Sequence, residues 1–368
     1  MEPSLSSSQS LVIETLEKPG WFDWLRWSPT SMSALATAEK RLLSFLKTPF
    51  RDFFINTPGG LKIRTIAFNE KISGRTPLVV LHGFAAGIGL WCLNLDAFAS
   101  KTPVYALDWI GFARSSRPFF SKDPLEAENQ FIDSLEEWRK IMGLEKVILL
   151  GHSMGGFLAS SYALRYPDPV KHLILADPWG FPVKPTHNEF LNKMPWWARG
   201  LRFVLSSFSP LAPVRVSGPL GPYLVRKARP DITTKFMRHF PDAELAIPDY
   251  IYHCNAQAPT GEAGFHAMMA EFGWAKFPMI QRIEGLHEDI SLTFIYGARS
   301  WVDKNPGLYL RDKMKDRFVD VQLIDGSGHH VYADRPDVFN NLVLQACSYA
   351  DSVIIDDLER NRLIEEEL

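Results

Sequence analysis

The chain has 368 residues, long for one domain and short for two large ones, so one core with a sizeable insertion fits best. Hydrophobic residues make up 46% and charged residues 22%, which permits a large core and argues against global disorder. A formal net charge of -2 gives no bulk attraction for nucleic acid, and three scattered cysteines (Cys92, Cys254, Cys347) offer neither CxxC metal spacing nor an even disulfide set.

The first twenty residues are polar and lack a basic region ahead of a long apolar core, so they read as a mobile terminus and not as a secretory signal. No run of about 18 apolar residues occurs, so no spanning helix is expected. Any membrane contact is then peripheral. Trp21-Phe22-Asp23-Trp24-Leu25-Arg26-Trp27 packs three tryptophans into one short segment. A helix follows from about Ser33 to Leu46, capped by Ser31 or Ser33. Residues 1–49 thus form an N-terminal region of their own.

Phe50–Asn56 and Leu61–Asn69 flank Thr57-Pro58-Gly59-Gly60 and read as a hairpin. Leu78–Leu81, Val104–Asp108, Lys146–Leu150 and Val170–Ala176 are apolar runs suited to strands buried on both faces. Asp123–Met142 and Met154–Tyr166 carry helical spacing between them. Leu292–Tyr296 and Val319–Ile324 resume the strand pattern. Strands alternating with helices predict an α/β class with a mostly parallel sheet. The alternation fails over residues 178–288, which are rich in Pro, Trp, Phe and basic residues and read as an inserted helical cap. The core then comprises residues 50–177 and 289–350, and 351–368 form an acidic tail.

Gly151-His152-Ser153-Met154-Gly155 is a GxSxG sequence between a strand and a helix. Gly151 and Gly155 permit a sharp turn that pushes the Ser153 hydroxyl out at the carboxyl edge of the sheet. The base expected for that hydroxyl is His329, in the glycine-rich loop after the last strand, with His330 beside it as the less favoured choice. Asp303, past the strand ending at Tyr296, is the expected acid. Its competing role is capping the helix that follows, and Asp177 is the alternative acid. The amides of Phe84, in Leu81-His82-Gly83-Phe84, and of Met154 are the expected oxyanion donors. Asp108 and its loop read as structural. No cofactor or metal is expected.

Together these motifs resemble those of the α/β-hydrolase fold, which is the fold expected here. Gly151–Ala159, Asp177-Pro178-Trp179-Gly180-Phe181, Tyr296–Arg299 and Gly328–Asp334 resemble a narrower subgroup, the α/β-hydrolase domain-containing proteins four and five. The resemblance runs from the Trp-rich segment to about residue 350. It implies work at lipid surfaces in lipid homeostasis. One branch is a lysophospholipase and N-acyl phospholipid lipase. The other coats lipid droplets, activates a separate triacylglycerol lipase and is described as a lysophosphatidic acid acyltransferase. The vertebrate coactivator carries asparagine at the position of Ser153. Serine here keeps hydrolysis or acyl transfer available and does not exclude coactivation.

The resemblance also places Arg299 and Gly328 on a partner-activation surface and assigns the His329-to-Asp334 motif to acyl transfer. The local sequence gives Asp334 a competing role as a helix cap before Pro336, and an enzyme with a serine nucleophile needs no second dyad. Trp21, Trp24 and Trp27 are expected to anchor the chain in the water–lipid interface. The expected location is cytoplasmic, peripheral on droplets or on endoplasmic reticulum or mitochondrial membranes. The expected partners are lipid, a lipase and droplet coat proteins. A soluble small-ester or epoxide hydrolase is the weaker option, and epoxide chemistry would want a carboxylate at position 153.

Overall fold

The computed structural model describes residues 30–185, 211–271 and 273–366, with side chains to residue 352. Its frame is an eight-stranded sheet in the order β1-β2-β4-β3-β5-β6-β9-β10. β1 (Phe50–Asn56) and β2 (Lys62–Phe68) form an antiparallel hairpin, and β2 runs antiparallel to β4 (Val104–Leu107). The remaining pairs are parallel, through β3 (Leu78–Leu81), β5 (Val147–His152), β6 (Val170–Ala176), β9 (Ser291–Gly297) and β10 (Val319–Ile324). β3 and β5 are buried at every position because helices cover both faces.

Each face carries its own apolar core. Alternate strand residues divide between them: Val79, Leu81 and Leu149 face one side, and Leu78, Val80, Ile148 and Leu150 the other. On the first side lie α3 (Pro124–Ile141) and α4 (Met154–Arg165), contributing Phe131, Trp138 and Leu158. On the second lie α1 (Met32–Leu43), α2 (Leu95–Ala99) and the C-terminal helix, contributing Leu35, Phe98 and Phe339. Local chemistry sets the helix starts. Ser31 Oγ accepts from Ala34 N at 3.0 Å to open α1, and Asp123 accepts from Leu125 N and Glu126 N ahead of Pro124 to open α3.

Between β6 and β9 the described chain forms α5 (Ala212–Val216), α6 (Gly221–Ala228), α7 (Pro230–Met237), α8 (Ala243–Asn255) and α9 (Thr260–Met268). A two-stranded ribbon follows, β7 (Met269–Glu271) with β8 (Trp274–Ala275). α8 is tied to the N-terminal helix. The Arg41 guanidinium is bidentate on Asp242, Phe45 stacks on Phe240, and the Thr30 hydroxyl meets His253 at 2.8 Å. After β9 come α10 (Asn305–Lys313), the short α11 (Val331–Asp334) and α12 (Pro336–Glu366). α12 runs unbroken through the boundary expected near residue 350, so the last core helix and the tail are one element. Among the described residues no helix is long and apolar enough to cross a membrane. The expected anchor residues Trp21, Trp24 and Trp27 lie outside the described residues.

Candidate active site

Strand order moves outward from β3 to β4 on one side and from β5 to β6 on the other, which leaves a crevice at the carboxyl ends of β3 and β5. Ser153 stands at its floor. The chain leaves β5 and enters α4 within one residue, and Ser153 takes φ 54 and ψ -118, a conformation that L residues rarely adopt. The turn works only with glycine on either side. A Cβ at Gly151 would stand 2.4 Å from the Gly155 carbonyl oxygen, and one at Gly155 would stand 2.5 Å from the Leu81 carbonyl oxygen. Ser153 N–H donates to Ala176 O at 3.0 Å, pinning the turn to the neighbouring strand.

His329 Nε2 lies 3.1 Å from Ser153 Oγ, where it accepts the hydroxyl proton. On the far side of the ring, Nδ1 donates to Asp177 Oδ2 at 2.6 Å. His152 supports the arrangement by donating its Nε2–H to the His329 carbonyl at 2.9 Å. Trp301 packs on the His329 ring with centroids 5.0 Å apart. These contacts fix one tautomer of His329 and one direction for proton movement.

The expectation for the acid is thereby corrected. Asp303 is exposed and accepts from Asn305 N at 3.0 Å, a local turn bond ahead of α10, whose N-cap position is Lys304. The acid beside His329 is Asp177, the next residue after β6. That strand adjoins β5, so the carboxylate and the serine emerge side by side, whereas Asp303 lies beyond β9. Asp177 is fully buried in a left-handed conformation, φ 46. Its Oδ1 accepts from Gly297 N at 3.2 Å and its Oδ2 from the Ser300 hydroxyl. Burial pushes its carboxyl up to about 7, against these hydrogen bonds. Burial also lowers His329, to about 4, assisted by the positive charges of Lys235 and Arg229. His152 falls to about 3 through burial and the neighbouring His329.

The expected oxyanion donors meet at the same place. Gly83 presses its backbone against the elbow, since a Cβ there would stand 3.1 Å from Ser153 Cβ. Among the described residues neither Phe84 N–H nor Met154 N–H has a recorded acceptor. The Phe84 ring stacks on Phe265 at 4.5 Å, which fixes the loop that presents its amide. His82 holds this loop from behind, accepting Trp109 N–H at 3.0 Å and donating to the Gly83 carbonyl at 2.8 Å. Asp108 is structural, receiving the Ile88 and Arg114 amides at 2.9 and 3.1 Å.

A cavity of about 400 Å³ opens beside the site. Pro178, Trp179, Gly180, Trp274, Trp301 and Asp303 are among its lining residues. Arg299 is exposed; its N–H donates to Ser327 O at 2.8 Å and its guanidinium to Gly326 O. Asp334 does not meet Ser153 or a His329 ring nitrogen. Its Oδ2 accepts from Gly328 N at 2.8 Å and pairs with Lys235 Nζ at 3.0 Å, and it ends α11, so the cap role expected for it is replaced by a bond back to the histidine loop. His330 packs near His152, with centroids 5.7 Å apart, and makes no recorded bond to Ser153. Among the described residues no cluster of three or more His, Cys, Asp or Glu is arranged to hold a metal ion.

An elbow serine, a histidine from the loop after the last strand and a buried acid on this strand order define an α/β-hydrolase. The profile of the alpha/beta hydrolase fold family matches residues 76–336, and the chain belongs to that family. Within it, the chain is 46% identical over 322 residues to the mouse (lyso)-N-acylphosphatidylethanolamine lipase, covering 88% of this chain and 94% of the relative. It is also 46% identical over 340 residues to the human 1-acylglycerol-3-phosphate O-acyltransferase ABHD5, covering 92% of this chain and 97% of the relative. These are the two branches that the motifs resemble. Among solved structures, a bacterial membrane phospholipase A, a virulence factor, shares the fold with a TM-score of 0.59 at 20% identity over 87% of this chain and 91% of that one. Naproxen esterase from Bacillus subtilis shares it with a TM-score of 0.58 at 18% identity over 85% and 96%.

Proposed function

We propose that this protein is a serine-dependent lipid acyl hydrolase or acyltransferase that takes lysophospholipid-type or N-acyl phospholipid substrates at a membrane or droplet surface. The reading is carried by the continuous line from Ser153 Oγ through His329 to Asp177. Ser153 attacks the acyl carbonyl as His329 Nε2 takes its proton, and the Asp177 carboxylate steadies the imidazolium. The Phe84 and Met154 amides receive the oxyanion, with the N-terminus of α4 behind them. His329 then returns the proton to the departing alcohol. Water or the hydroxyl of a lysolipid resolves the acyl-enzyme, so one serine serves both hydrolysis and transfer. The names of the two relatives, a lipase and an O-acyltransferase, fit those two outcomes. The cavity beside His329, walled by Trp179, Trp274 and Trp301, suits the apolar portion of such a substrate.

The test is lipid profiling of purified wild type against Ser153→Ala with an added lysolipid and an acyl donor. Turnover and labelling by a fluorophosphonate probe are expected in wild type alone. A wild-type protein that does neither would end the enzymatic reading.

Arg299 supports a second role, as a coactivator of a separate triacylglycerol lipase, because it is exposed and bonded to the same loop that carries Gly328 and His329. Retained lipase activation by Ser153→Ala would show that the two roles are separable. Peripheral lipid binding through Trp21, Trp24 and Trp27 is tested by removing residues 1–29. Unchanged binding to vesicles or droplets would refute the anchor.

A further inference from the structure

Asp334 Oδ2 sits between two donors from different parts of the fold. One is the Gly328 N–H, 2.8 Å away and one residue before His329. The other is Lys235 Nζ, 3.0 Å away on the cap helix α7. The two side chains are only 12% and 14% exposed, so this ion pair is shielded from solvent. Both ring nitrogens of His329 are already occupied, Nε2 by Ser153 and Nδ1 by Asp177, which leaves none for Asp334 to address. An acyl-transfer dyad of His329 with Asp334 has no atom to act through.

We infer that Lys235 and Asp334 are a positioning pair for His329: the aspartate holds the loop backbone beside the imidazole, and the lysine makes that hold depend on the seating of the cap. Segment 328–334 closes on itself to serve this. The amides of Ala333 and Asp334 both donate to His330 O at 2.9 Å, so α11 brings the carboxylate back to the residue that precedes His329. Loss of the Asp334 side chain would leave the half-buried Gly328 amide and the lysine ammonium without this partner at once.

Charge adds a second readout. His329 is faced by Asp177 from the end of β6, by Ser153 and His152 from the elbow, by His330 of its own loop, by Trp301, and by Lys235 and Arg229 from the cap. Arg229 is engaged by Asp231 through two bonds of 3.0 Å. Lys235 is the larger of the two cationic influences that disfavour the imidazolium, and Asp334 is the carboxylate paired with it at 3.0 Å. Removing the lysine charge therefore raises the His329 titration, and removing the aspartate charge lowers it.

The inference rests on His329 acting as the base, and the experiment separates the two. The His329 imidazole is titrated by NMR in wild type, Lys235→Met, Asp334→Asn and the double variant, alongside fluorophosphonate labelling of Ser153. Lys235→Met is expected to shift the midpoint up, and Asp334→Asn down, each by about half a pH unit, with the double variant near wild type. Asn retains an oxygen for Gly328 N–H, so Asp334→Ala is the variant that frees the loop. Its labelling rate is expected to fall about ten-fold with the protein still folded. Lys235→Arg is expected to keep the wild-type titration and rate. Midpoints that do not move, or that move the same way in both single variants, would overturn the pair. Opposite shifts in a protein whose Ser153 never labels would uphold the pair and discard the catalytic reading instead.

Discussion

Asp177 Oδ2 lies 2.6 Å from His329 Nδ1, joining residues 152 positions apart in the chain. The contact depends on strand order. β6 carries Asp177 and adjoins β5, which carries Ser153, so both groups rise from neighbouring strand ends and the histidine loop closes over them. Asp303 follows β9 and its carboxylate is spent on the Asn305 amide. Asp177→Asn is therefore expected to lower kcat by roughly 10³- to 10⁴-fold, because an amide does not stabilise the imidazolium or select its tautomer. Asp303→Asn is expected to stay within about three-fold, since a solvated turn bond contributes little to the reaction. Steady-state kinetics on any ester that wild type turns over decides this, and the reverse ranking would restore Asp303 as the acid.

The elbow makes a sharper demand on the fold. A Cβ at position 155 meets two backbone oxygens, those of Leu81 and His82, at 2.5 and 2.6 Å. Backbone in the central strands does not give way as a flexible side chain would. Gly155→Ala is expected to destabilise the protein by more than about 2 kcal/mol and to abolish labelling of Ser153. Gly285, where an added Cβ meets nothing within 4 Å, is the control: Gly285→Ala should leave both unchanged. Urea denaturation with parallel labelling measures the two effects. A Gly155→Ala protein as stable as the control would refute the packing argument.

The local part of this site was legible in the sequence, and the part set by strand adjacency was not. Ser153 and its glycines follow from one continuous stretch, in which steric need dictates residue type. His329 follows from its place after the last strand. The choice between Asp177 and Asp303 turns on which strand neighbours β5, and linear order does not carry that. Both candidates sit just past an apolar strand run. The available signal was that Asp177 directly ends its strand, whereas Asp303 lies six residues past Gly297 and ahead of Pro306, as a helix cap would. The structural role expected for Asp334 has different partners for the same reason. Its spacing before Pro336 suits a cap, while its actual partners, Gly328 and Lys235, are brought together by folding. The hairpin, the parallel strands and the interruption after residue 177 were legible because hydrophobic period and turn residues are local properties.

His172 gives a test of the buried core away from the reaction. It lies fully buried on β6 opposite β9, with Nδ1 2.5 Å from Ser291 Oγ and Nε2 2.9 Å from Thr293 Oγ1. Burial lowers its pKa from 6.5 to about 3. A depressed histidine contributes stability that is fully present above its unfolded value and is lost as pH falls through its folded value. The window therefore opens near 6.5 and closes near 3. Asp177 works in the opposite sense, because burial raises it to about 7; its contribution is present at low pH and fades as pH rises through that value. The overall stability curve mixes the two trends, so the informative quantity is a difference. His172→Gln keeps a hydrogen-bonding side chain and has no proton to gain. Relative to wild type, the variant should become progressively more stable below pH 6.5, with the gap growing by up to about 1.4 kcal/mol per pH unit. Chemical denaturation of both proteins at pH 7.5, 6 and 4.5 measures it, and a gap that stays constant across those points would mean that water or a rearranged hydroxyl already accommodates a charged imidazole at this site.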